Sequence, residues 1–75
     1  MYMIQVGAFG VIENANDLAG FLKGKELEVS VVSRTIGGNM LYCVWVKGDT
    51  NFDNTEKIAE EIKEKYDLSY RIVQP

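Results

Sequence analysis

The sequence predicts an α+β fold, in which a four-stranded antiparallel sheet carries two helices on one face. Several stretches alternate apolar and other side chains with a period of two, which is typical of strands, and two others repeat apolar residues at helical spacing. The alternation that begins at Tyr2 returns at Tyr42, which indicates an internal duplication of about residues 2–32 and 42–73. The order is therefore βαββαβ. Right-handed crossovers then place the first and third strands in the centre, a ferredoxin-like or RNP-like arrangement.

The composition is that of an ordinary soluble globular domain, and we expect residues 1–75 to form one such domain. Hydrophobic residues make up 47% and charged residues 25% of the chain, which argues against a disordered segment. No apolar run approaches the roughly 18 residues that span a bilayer, so we expect no membrane insertion by this segment. The net charge of −3 argues against a nucleic-acid partner, since nucleic-acid binders usually carry a basic surface.

The inventory of reactive side chains argues against catalysis. The chain has no histidine, which removes the commonest general base, and its single cysteine is Cys43. A lone cysteine excludes an internal disulfide framework and a multi-cysteine zinc site. We therefore expect no enzyme activity, no metal site and no cofactor.

The first strand is predicted over residues 2–9. Tyr2, Ile4 and Val6 share one face, and Met3 and Gln5 share the other. Gly7 is expected to end its regular part, after which residues 8–10 turn the chain away.

The first helix is predicted from an apolar stripe at positions i, i+3, i+4 and i+7. Asn14 is the expected N-cap, and Gly24 is expected to adopt a left-handed conformation after the last turn. The stripe consists of Ala15, Leu18, Ala19 and Leu22.

The second and third strands are predicted to form a hairpin around Gly37 and Gly38, since two glycines supply the positive φ values that a type I′ turn requires. This turn sets the register of the hairpin. The predicted pairs on the covered side are Val29 with Val46 and Val31 with Val44. On the opposite side they are Ser30 with Trp45, Val32 with Cys43 and Arg34 with Leu41.

The second helix is predicted over residues 55–66 and the last strand over residues 70–74. Asp53 and Glu56 have the spacing of a capping box. The apolar stripe of this helix consists of Thr55, Ile58, Ala59, Ile62 and Tyr66.

The face of the sheet without helices is predicted to be a binding surface, because contiguous exposed apolar area on a small domain usually marks one. Trp45 at its centre is expected to offer a ring for ligand stacking; the alternative is that a terminal segment or a second copy covers it. The predicted face consists of Met3, Gln5, Ser30, Val32, Arg34, Leu41, Cys43, Trp45, Arg71 and Val73.

The stretch from Ile4 to Phe9, Ile-Gln-Val-Gly-Ala-Phe, resembles the opening motif of the SPOR domain, the sporulation-related repeat. That motif reads Val or Ile, Gln, Val, Gly, a small residue, Phe. The resemblance continues through the Asn/Ala-rich first helix, the Gly-Gly hairpin and the third strand, and covers residues 2–73.

The resemblance implies a bacterial cell-envelope domain that binds peptidoglycan and prefers glycan strands stripped of stem peptides. Its location would depend on a membrane anchor or secretion signal absent from this segment. The family's glycan site is the open sheet face, and its first-strand Gln corresponds to Gln5. Ala8 stands where the family often has Ser, and Cys43 where it often has Arg. The expected glycan-binding residues are Gln5, Ala8, Ser30, Arg34, Cys43, Trp45 and Arg71.

Two other readings of the open face remain open at the level of sequence. The face could bind a peptide or form a homodimer through Trp45. It could also bind single-stranded RNA, for which the topology is suitable, but the chain lacks the paired aromatic motifs and basic surface of such modules.

Overall fold

The computed structural model describes residues 1–75. Its elements are β1 (Met3–Phe9), α1 (Ile12–Lys23), β2 (Val29–Ile36), β3 (Asn39–Lys47), α2 (Phe52–Tyr66) and β4 (Arg71–Val73). The strands form one antiparallel sheet in the order β2-β3-β1-β4. The predicted class, the order of the elements and the central position of the first and third strands are confirmed.

The hairpin of β2 and β3 has the predicted register. Gly37 and Gly38 at its tip have φ values of 58° and 82°, the positive values that a type I′ turn needs. Beyond the turn, Val31 pairs with Val44. The other predicted pairs are also present: Val29 with Val46, Ser30 with Trp45, Val32 with Cys43 and Arg34 with Leu41.

β1 remains paired as a strand past Gly7, where the sequence predicted the end of its regular part. Its pairing with β3 shifts register between Gln5 and Gly7, which marks a β-bulge. After the bulge, Ala8 pairs with Cys43. Directly paired residues share a face, so the bulge places Ala8 on the side of the sheet that also carries Gln5.

α1 begins earlier than predicted, and Asn14 is not its N-cap. The N-cap is Val11, which is extended at φ −116° and has no side-chain capping bond. Gly24 ends the helix in a right-handed conformation at φ −63°, so the predicted left-handed glycine is also wrong. The left-handed residue that redirects the chain is Glu26, at φ 65°.

α2 begins before the predicted capping box. Its N-cap is Asn51 rather than Asp53, and the Asn51 side-chain oxygen accepts a hydrogen bond from the Asn54 backbone N–H at 3.0 Å. The helix ends at Tyr66, and Asp67 follows in a left-handed conformation at φ 54°.

The core lies between the sheet and the two helices. Small residues on both helices, including Ala15 and Ala59, are fully buried and allow the helices to approach the sheet closely. Neither helix has the length and apolar character that crossing a membrane would require. The buried core consists of Ile4, Val6, Ala15, Ala19, Leu22, Val44, Val46, Ala59 and Ile62.

Candidate functional site

The side of the sheet that faces away from the helices, which we call the open face, carries a row of residues that crosses all four strands. Arg71 of β4 pairs with Gln5 of β1, Gln5 pairs with Trp45 of β3, and Trp45 pairs with Ser30 of β2. Directly paired residues in an antiparallel sheet have neighbouring side chains. The fold therefore brings these four predicted site residues together in one line.

Two further predicted residues lie beside this row. Ala8 is exposed on the open face, where it reaches the same side as Gln5 through the bulge. Arg34 is exposed on β2, and its guanidinium carbon lies 5.4 Å from the centroid of the Trp45 ring. That distance is within the range of a cation–π interaction.

Trp45 is not the open stacking surface that the sequence predicted. It is only 6% exposed, although no helix covers this side of the sheet. Its Nε1 donates a hydrogen bond to Gln5 Oε1 at 3.0 Å, and Arg34 lies over its ring. Two side chains of its own face, those of Gln5 and Arg34, therefore contact Trp45 within the single chain.

Cys43 also requires a correction. The strand register assigns Cys43 to the open face, but the residue is fully buried. The thiol offers no surface to a ligand in this structure, so Cys43 contributes packing rather than contact. Alternation assigned the residue to the correct side of the sheet, but it could not predict that its neighbours would cover it.

A groove of about 300 Å³ lies on the open face. Arg34 and Arg71 are among the residues that line it, and no acidic residue does. Such a groove suits a ligand that is anionic or rich in hydrogen-bond acceptors, since guanidinium groups only donate. Its lining is completed by Gln5, Thr35, Ile36, Trp45, Val73 and Gln74.

The sequence reasoning missed some of this lining. Ile36 follows Arg34 at a spacing of two on β2, so the hairpin register contained the signal that it shares the same face. Thr35 and Gln74 carried no such signal. Thr35 alternates to the opposite side of its strand, and Gln74 lies beyond the end of β4.

The two groups with shifted pKa values lie outside this groove. A hydrogen bond from the Asn54 side chain, assisted by backbone N–H groups, lowers the pKa of Asp49. A hydrogen bond to Glu60 raises the pKa of Tyr70, because the carboxylate stabilises the protonated phenol. No three His, Cys, Asp or Glu side chains cluster closely enough to hold a metal ion.

Comparison with known families finds a match for this chain. The family model described as the SPOR domain matches residues 1–71. The chain belongs to the SPOR domain family. The resemblance of the Ile4–Phe9 motif to that family is thereby confirmed.

Two solved structures are similar to this SPOR domain. The crystal structure of the RlpA SPOR domain from Pseudomonas aeruginosa superimposes with a TM-score of 0.80 at 22% identity and covers 100% of both chains. At this identity the likeness concerns the fold alone. The solution structure of the peptidoglycan binding domain of the B. subtilis cell wall lytic enzyme CwlC has a TM-score of 0.76 at 28% identity, and covers 96% of this chain and 85% of that one. A search of curated protein sequences finds no match.

Proposed function

We propose that this SPOR domain is a non-catalytic module that binds peptidoglycan through its open face. In this proposal it recognises the glycan strands, prefers strands without stem peptides, and directs a host protein to sites of cell-wall remodelling or division in the bacterial cell envelope. The observation that carries the proposal is the arginine-lined groove across the open face of a SPOR fold. The peptidoglycan-binding domain of CwlC, with a similar fold, supports it.

The chemistry of the groove fits a denuded glycan strand. An amidase that removes the stem peptide breaks its amide bond to the lactyl group and leaves a free carboxylate on the sugar. Arg34 and Arg71 line the groove and can bind such a carboxylate through paired N–H donors. The Gln5 amide can add a hydrogen bond to a hydroxyl or N-acetyl oxygen.

The shape of the open face supports the same preference. A glycan strand with its peptides removed can lie along a flat sheet, whereas bulky stem peptides would collide with the strands. Such a collision rejects the peptide-bearing polymer without requiring tighter contacts to the denuded one.

The test is co-sedimentation with purified sacculi before and after an amidase removes the stem peptides. We expect the wild-type domain to pellet more strongly after amidase treatment, and Arg71→Ala to pellet less. Lys57→Ala, which removes a cation from the exposed side of α2, is the matched control and should pellet like the wild type. Absence of pelleting with both preparations would contradict the proposal. Concentration-dependent self-association in that case would favour the homodimer.

A further inference from the structure

The hydrogen bond between Trp45 and Gln5 determines which end of the Gln5 amide faces the ligand. An indole N–H donates and has no lone pair with which to accept, so the amide oxygen must face it. Trp45 Nε1 lies 3.0 Å from Gln5 Oε1. The Trp45 end of this bond is buried and the Gln5 end is partly buried, which limits competition from water. The amide orientation is thus fixed by the chemistry of its partner.

The amino end of Gln5 is left free to donate to a ligand. Its Nε2 is not engaged by Trp45, and no buried side-chain nitrogen or oxygen lacks a partner, so this nitrogen is accessible to solvent. The amide nitrogen carries two donor hydrogens. Gln5 therefore turns its oxygen toward the indole and its two N–H donors toward the groove that it lines.

Trp45 also supports the second donor group. The Arg34 guanidinium lies over the indole ring, at 5.4 Å from its centroid, where the cation is attracted to the ring, and Arg34 lines the same groove as Gln5. Arg71 is the direct neighbour of Gln5 on the other side. Thr35 and Gln74 also line the groove and can accept as well as donate.

We propose, on the basis of the proposed function, that Trp45 is a positioning residue and not a stacking surface. It holds Gln5 and Arg34 so that, together with Arg71, they direct N–H donors into the groove. The groove then selects ligands whose contact atoms accept, above all a carboxylate. A carboxamide at the same place is disfavoured, because it is neutral and its N–H₂ group would face the Gln5 amide donors and the two guanidinium groups.

The experiment compares two forms of one probe by calorimetry. The first is a GlcNAc–MurNAc oligosaccharide with free lactyl carboxylates, and the second is the same oligosaccharide with those carboxylates converted to carboxamides. The wild type should bind the carboxylate form more tightly. Gln5→Glu retains an acceptor for the indole N–H but replaces the donor with a negative charge, so its affinity for the carboxylate form should fall about tenfold or more.

Trp45→Phe separates positioning from stacking. It keeps a ring under Arg34 but releases Gln5 from the indole N–H, so the amide can turn its oxygen into the groove and accept from the carboxamide. The ratio of the two affinities should therefore fall toward one. Loss of a stacking surface would weaken both forms equally and leave that ratio unchanged.

Three results would overturn the proposal. These are an unchanged ratio in Trp45→Phe, wild-type affinity in Gln5→Glu, and equal wild-type affinity for the two forms. If Trp45→Phe does not fold, the affinity of Gln5→Glu tests the proposal instead, because Glu preserves the hydrogen bond to the indole. A wild type that binds neither form refutes the proposed function itself, and this inference with it.

Discussion

Removal of the Arg34 side chain should uncover Trp45 without unfolding the domain. Arg34 is exposed, and its guanidinium carbon lies 5.4 Å from the ring centroid. A cation–π interaction at an exposed site contributes about 0.5–1 kcal/mol. The m-value in urea is about 1 kcal/mol/M for a domain of this size, so Arg34→Ala should lower the unfolding midpoint by about 0.5–1 M.

The assay uses the single Trp of the chain as its own reporter. In the wild type, acrylamide should quench Trp45 emission weakly, because the residue is nearly inaccessible. In Arg34→Ala the quenching should increase and the emission should shift to longer wavelength. Arg71→Ala is the matched control, since Arg71 is the neighbour of Gln5 and does not lie over the ring.

Equal quenching in the wild type, Arg34→Ala and Arg71→Ala would refute this account of the open face. It would mean that Arg34 does not cover the ring, and that the burial of Trp45 has another cause. A loss of more than about 2 kcal/mol would also contradict it, because an exposed cation–π pair does not contribute that much.

Three further predictions concern the scaffold. Gly48→Ala should destabilise the domain by about 1–3 kcal/mol in urea unfolding, since a Cβ there would lie 2.6 Å from the Tyr2 carbonyl oxygen. Gly20 lies at an open position of α1, so Gly20→Ala should instead stabilise the domain by about 1 kcal/mol. Because the pKa of Asp49 is lowered in the folded state, its carboxylate adds stability at pH values above the ordinary carboxyl pKa. This stability is lost as pH falls through the folded-state pKa, so Asp49→Asn should make the free energy of unfolding depend less on pH in the acid range. The raised pKa of Tyr70 adds stability that is lost as pH rises through the folded value, and Glu60→Gln should lower that pKa in an NMR titration and reduce the alkaline loss of stability.

The parts of the fold that follow from local rules were predictable. The two glycines of the hairpin dictate a turn type, and the turn dictates the register that places Ser30 opposite Trp45. The bulge after Gln5 was not predictable in the same way. An inserted residue interrupts the period-two alternation, but no particular residue type marks the insertion in the sequence. The start of α1 was also missed, since Val11 carries no capping side chain.

The sequence predicted which side of the sheet carries the candidate site, but not which side chains on that side are exposed. Alternation and register assign Gln5, Trp45 and Arg71 to one side of the sheet. Whether a side chain on that side is open depends on which rotamers its neighbours adopt across the strands. Arg34 pairs with Leu41 on β3, yet its side chain reaches the ring of Trp45. No pattern in the sequence contains that contact.

The most direct test of the central claim is an NMR titration of the isotope-labelled domain with a peptide-free glycan oligosaccharide. Binding at the open face should shift the resonances of Gln5, Arg34 and Arg71 and the single indole N–H of Trp45, while those on the outer side of α2 stay in place. Shifts confined to the helices, or no shifts at saturating ligand, would contradict the claim.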